Sequence, residues 1–161
     1  MKFKETLTYD DVLLIPQYSD IESRKEIDIG NDLDEGLRLD LPIISAPMDT
    51  VTEVDMAIAM WQAGGLGIVH RYNSINEQVN IMWKCGGTKS GAAIGVTEDF
   101  EERALALREA GAATLCVDVA HGHHVLVERA IKTLKDLFGD EVHIMAGNVA
   151  TSEGYKALSS W

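Results

Sequence analysis

The chain holds 161 residues, 26 of them acidic and 14 basic, for a formal net charge of −12. That length suits one domain with its own core, and so negative a field repels phosphate backbones and anionic headgroups, which argues against nucleic acid and membrane as partners. No apolar run reaches the roughly 20 residues of a membrane span, and the polar start MKFKETLTYDD does not read as a signal peptide, so a cytoplasmic protein is expected.

Residues 1–40 read as a lead-in: LTYDDVLLIP precedes a polar stretch, DIESRKEIDIGNDLDEG, whose weak alternation predicts short strands or an extended arm. Residues 41–161 then alternate strand-length apolar runs with helix-length segments in a single domain. PIISAP at 42–47 is the first strand, after which Thr52 with Asp55 opens a helix through VDMAIAMWQA, stopped by Gly64 and Gly65. GLGIVH at 65–70 is the second strand, followed by a helix over 75–85 and the short loop GGTKSG at 86–91. GAAIGV at 91–96 is the third, with Thr97 as the expected cap of EDFEERALALREAG and Gly111 as its stop. TLCVDVA at 114–120 is the fourth. In the next segment, HVLVERAIKTLKDLF, the residues Val127, Ala130, Ile131, Leu134, Leu137 and Phe138 recur at helical spacing and form one apolar face. VHIMAGN at 142–148 is the fifth strand, and Thr151 caps SEGYKAL.

Strand starts lie about 22 to 29 residues apart, the spacing of successive βα units on a parallel sheet. Two α/β architectures satisfy it: a doubly wound, flavodoxin-like sheet, complete at five strands, and a (β/α)8 TIM-type barrel, of which this length supplies about the first five units. In both, the loops after the strand C-termini form the active face, and polar residues collect there. They are Ser45 and Asp49 beside Met48; His70, Arg71 and Asn73; Thr97; Asp118 with His121, His123 and His124; and Asn148 with Thr151.

Asp118 stands out among them, because a carboxylate that closes an apolar strand needs a donor or water. At a strand end it either accepts from a ribose hydroxyl or turns the chain into the next helix. The histidines of HGHH lack the i, i+4 spacing of a helical zinc motif, so they read as solvated or capping groups and no metal ligands are assigned. Met48 reads as a gap-filler, and His70 as a side chain that satisfies a backbone carbonyl or orients a substrate. Cys85 falls late in a helix and Cys116 in mid-strand as a small core residue; the pair has no CxxC spacing, which gives neither a disulfide framework nor a zinc site. GxGxxG, GxxxxGK[ST] and GxSxG are all absent. These are binding groups without a nucleophile.

The strings LTYDDVLLIPQYSDIESR, PIISAPMDTVTE, AGGLGIVHRYNSINEQ, DVAHGHH and IMAGNVAT, in this order, resemble the IMP dehydrogenase/GMP reductase family along essentially the whole chain. The resemblance implies the (β/α)8 barrel and a purine-nucleotide oxidoreductase, with the dehydrogenase favoured over GMP reductase. It implies that Met48 packs on the purine nucleotide, that Asp118, Val119 and Ala120 hold the nicotinamide-side ribose, and that Asn148 faces substrate and nicotinamide. Ser23 and Arg24 look like a pair that in the reductases reaches a neighbouring subunit's cofactor, and Arg71 stands where those enzymes carry a basic residue. Ala46 departs from the serine the family often has.

In that family a cysteine thiolate attacks C2 of the purine to give a thioimidate, turning IMP into XMP with NAD, or GMP into IMP with NADPH in the reductase. A monovalent cation, K+, orders the cysteine loop of the complete enzyme. That loop is expected after a sixth strand, beyond Trp161, and the CBS pair that many of the dehydrogenases insert near GGTKSG is missing. The resemblance thus implies NAD, or alternatively NADP, as cofactor, and no catalytic residue or activity in this chain alone. It also implies a complementary C-terminal barrel half, from another chain or from the same protein, within a homo-oligomer that is a tetramer when complete. The competing expectation is a non-catalytic half-barrel that associates with itself.

Overall fold

The computed structural model describes residues 5–161, so the first four residues of the predicted lead-in lie outside the described residues. Residues 5–29 are almost wholly exposed and mostly extended, broken by two 3-10 turns at Tyr9–Asp11 and Arg24–Glu26. The predicted short strands are an antiparallel hairpin of β1 (Asn31–Asp34) and β2 (Leu37–Leu39). Its turn passes through Gly36 at φ 82°, a left-handed conformation that glycine adopts at least cost.

Five strands follow, each with its helix: β3 (Ile44–Ser45), α1 (Val54–Gln62), β4 (Leu66–Val69), α2 (Ile75–Cys85), β5 (Gly91–Ile94), α3 (Phe100–Glu109), β6 (Thr114–Val117), α4 (Val125–Phe138), β7 (His143–Ala146) and α5 (Ser152–Ser160). All five strands are parallel and lie in the order β3-β4-β5-β6-β7. This order decides between the two architectures. A doubly wound sheet places its first strand inside and reverses direction at a switch point, whereas here each strand pairs with the next in sequence and α1 to α4 pack on one another in turn. That is the wall of a (β/α)8-type barrel.

Alternation along the strands produces two apolar clusters. Val69, Ala92, Ile94, Leu115 and Val117 face the helices and join Met82, Leu107, Val127, Ile131 and Leu134 in the main core. Leu66, Ile68 and Ala93 face the other way, where Cys116, Met145 and the hairpin residues Leu37 and Leu39 pack on them. In α4 the predicted face is buried at Val127, Ala130, Ile131, Leu134 and Phe138, each large side chain contributing about 1.5–3 kcal/mol. Leu137, predicted on that face, is 43% exposed.

Two helix starts differ from expectation. The N-cap of α1 is Glu53, because the buried Thr52 hydroxyl turns inward to donate to Ala46 O at 2.6 Å and pairs with the Ser45 hydroxyl at 2.8 Å. The N-cap of α3 is Asp99, not Thr97, after a kink at Glu98 with φ 57°; the Asp99 carboxylate accepts from Arg103 one turn later. Ser74 and Glu77 form a reciprocal capping box on α2.

The hairpin is tied to the N-terminal end of the sheet where His143 Nδ1, on the first residue of β7, donates to Asp34 Oδ2 at 2.6 Å. That bond and the Glu35 N–H hold the Asp34 carboxyl below its ordinary value of 3.8. A carboxyl depressed by folding stabilises above its unfolded pKa, and the contribution disappears as pH falls through the folded value. Acidification below about pH 4 is therefore expected to free the hairpin first, read as loss of amide protection at residues 31–39 before the sheet responds. Asp34→Asn should leave that segment weakly protected at every pH.

Candidate functional site

Parallel order gathers all five strand C-termini on one rim. After β6, the Asp118 N–H donates to Ile94 O at 2.9 Å, which extends the strand ladder by one residue. Alternation then puts the Asp118 carboxylate on the same side as Cys116, the side away from the helices. From the loop after β4, Arg71 crosses the end of β5: its Nε donates to Asp118 Oδ2 at 3.2 Å and its Nη2 to the Asp118 carbonyl at 3.0 Å. The pair is half solvated, with 33% and 25% of the two side chains exposed, so it orients more than it stabilises.

After β7, Asn148 stands at φ 53°, a left-handed conformation that asparagine tolerates better than most residues. Its Nδ2 donates to Val119 O at 2.8 Å, and its own carbonyl accepts from the Gly122 N–H at 3.0 Å. A Cβ on Gly122 would sit 1.8 Å from Gly147 O, so only glycine lets these two loops meet. Asp118, Val119 and Asn148 thus form one cross-linked unit, with Ala120 exposed beside them. Thr151 caps α5, accepting from the Gly154 N–H at 3.0 Å.

The remaining rim residues are less connected. Met48 follows β3 with its side chain 49% exposed, so it fills no core gap. His70 is buried; its Nε2 pairs with Glu53 Oε1 at 3.2 Å while Nδ1 accepts from the Tyr72 N–H at 3.2 Å, and among the described residues its ring hydrogen-bonds to no backbone carbonyl. His124 Nδ1 caps α4 by accepting from the Leu126 N–H. Among the described residues, no group of three His, Cys, Asp or Glu side chains could hold a metal ion. Ser23 caps its own 3-10 turn by accepting from the Lys25 N–H, Arg24 is exposed, and among the described residues neither hydrogen-bonds to the rim.

Beneath the rim lies a polar network the sequence did not announce. Gln78, fully buried in α2, donates to Ala93 O at 2.9 Å and accepts from Arg103 Nη1 at 2.8 Å. Arg103 Nη2 also donates to Asn73 O at 3.1 Å and to Asp99 Oδ2 at 2.8 Å. The network ties α2, α3 and the ends of β4 and β5 together. Neither thiol is prepared for attack: burial, then the Asp118 charge, pushes Cys116 up to about 11, and burial raises Cys85.

The chain matches the family model of the IMP dehydrogenase / GMP reductase domain over residues 6–161. It is 54% identical to an inosine-5'-monophosphate dehydrogenase of Nitrosopumilus maritimus over 84 residues, 52% of this chain and 18% of that protein. With the enzyme of that name from Cryptosporidium parvum the identity is 32%, across 94% of this chain and 48% of that protein. A crystal structure of inosine 5' monophosphate dehydrogenase from Legionella pneumophila superposes with a TM-score of 0.87 at 44% identity, covering 97% of this chain and 48% of that one. This chain therefore spans about half the length, or less, of the relatives it matches.

Proposed function

The chain belongs to the IMP dehydrogenase / GMP reductase domain family, and from that premise we propose that it forms the nucleotide-holding part of an IMP dehydrogenase barrel. Residues 1–40 act as lead-in and residues 41–161 as five β/α units. The observation that carries the reading is the Asp118–Val119–Asn148 unit on the rim, held together by the bond from Asn148 Nδ2 to Val119 O. The residues fit a dinucleotide: Asp118 keeps an exposed quarter and an Oδ1 with no hydrogen bond among the described residues, and nothing lies within 4 Å of a Cβ built on Gly147. Asp118, Val119 and Ala120 would hold the nicotinamide-side ribose, Asn148 would orient substrate against nicotinamide, and Met48 would offer its exposed thioether to the purine. NAD, when bound, supplies the hydride acceptor. Arg71 supports the cofactor site, and Ser23 and Arg24 would serve a cofactor on a neighbouring subunit of a homo-oligomer.

Burial raises both thiols of this chain, which supports a nucleophile, with its K+ and the complementary strands, in the part of the relatives that this chain does not span. Combining the chain with a polypeptide that carries that part, and following NADH absorbance with IMP, is expected to show turnover only in the assembled complex. A folded complex without turnover overturns the proposal. NADPH consumption with GMP instead assigns a reductase.

A further inference from the structure

We propose that Arg71 is the positioning residue of this site: it locks the Asp118 carboxylate and the backbone beneath it so that Oδ1 is presented to the diol of a nucleoside ribose. The inference rests on the ribose reading of Asp118.

Arg71 uses two different nitrogens on two different acceptors of one residue, Nε on Oδ2 and Nη2 on the main-chain carbonyl. A single bond would leave the carboxylate free to swing about χ1 and χ2; two bonds from a rigid planar fork define both the loop and the side chain. The fork reaches from the loop after β4 to the end of β6 across Gly95, the residue that follows β5, where a small side chain leaves it room. A Cβ on Gly95 would lie 3.4 Å from Arg71 Nη1 and 3.8 Å from Cζ, so a branched side chain there takes the space of the guanidinium. The Tyr72 ring, 5.6 Å from Cζ, flanks it further. With Oδ2 and the carbonyl engaged, Oδ1 remains as the acceptor, already oriented when a ligand arrives, which removes part of the ordering cost of binding. Lysine, a point charge on a flexible stem, does not hold both acceptors in one fixed plane.

The test is NAD titration by calorimetry into the protein in its assembled form, with Arg71→Met, Arg71→Lys, Asp118→Asn and the R71M/D118N double variant. Asp118→Asn and Arg71→Met are each expected to weaken binding about tenfold or more, with little rescue by lysine. If Arg71 acts through Asp118, the double variant binds no more weakly than Asp118→Asn alone. Gly95→Val should reproduce Arg71→Met without removing a charge, and Gly95→Ala, which fits the space, should bind as the wild type does. Additive losses, as a direct contact between Arg71 and ligand phosphates would produce, overturn the inference, and so does wild-type affinity in Arg71→Met. Wild-type affinity in Asp118→Asn, or no NAD binding by the wild type, sinks the ribose reading itself and this inference with it.

Discussion

Gly122→Ala is expected to destabilise the protein by about 2–4 kcal/mol and to abolish measurable dinucleotide binding. The added methyl would lie 1.8 Å from Gly147 O and 3.0 Å from Gly147 C, and both obstacles are backbone. The loops after β6 and β7 must therefore part. Parting breaks the bond from Gly122 N–H to Asn148 O and strains the one from Asn148 Nδ2 to Val119 O, which together hold the proposed ribose and substrate residues in one unit. The control is Gly147→Ala: nothing lies within 4 Å of its Cβ position, so its stability should stay within about 0.5 kcal/mol of wild type. Urea midpoints for the two variants, read with NAD titrations, check the prediction. Equal midpoints would show that the loops have slack this geometry denies.

Arg103→Met is expected to cost about 3 kcal/mol, a fall of about 6 to 12 °C in Tm for a chain of this size. The Arg103 side chain is 9% exposed and its loss strands the Gln78 amide oxygen and the Asn73 carbonyl. The Asp99 carboxylate, 45% exposed, is recovered by water, which keeps the cost below that of a fully buried ion pair. Gln78→Leu should cost less in the Arg103→Met background than in the wild type, because the orphaned amide oxygen goes with it while the Ala93 carbonyl loses its donor in both. Thermal denaturation of the single and double variants measures the coupling; strictly additive losses would mean that the two side chains do not share one network. Because the network braces the ends of β4 and β5, Arg103→Met should also loosen the loop that carries Arg71 and weaken NAD binding.

Much of the fold was legible because its signals are local. Strand runs, the amphipathic face of α4, the limits of α2 and the Thr151 cap depend on covalent geometry and on neighbours three or four residues away. Of the two caps that failed, Thr97 lost its place to the local turn at Glu98, and Thr52 failed for a tertiary reason. A threonine hydroxyl caps a helix only when nothing better is near, and Thr52 finds Ala46 O and Ser45 Oγ inside the fold. That these polar residues share one rim was also legible, since the C-termini of parallel strands lie at one edge of the sheet.

By itself the sequence determined the alternation of strands and helices, the residues at the strand ends and, through its motifs, the family. Tertiary structure alone decided the sheet order that separates a barrel wall from a doubly wound sheet. It also decided which rim residues meet: Arg71 and Asp118 across 47 positions, Asn148 and Val119 across 29, Asp34 and His143 across 109. Periodicity is set by local backbone geometry and burial, whereas contacts between distant residues exist only once the order of the strands is chosen, and hydrophobic alternation is the same in either order.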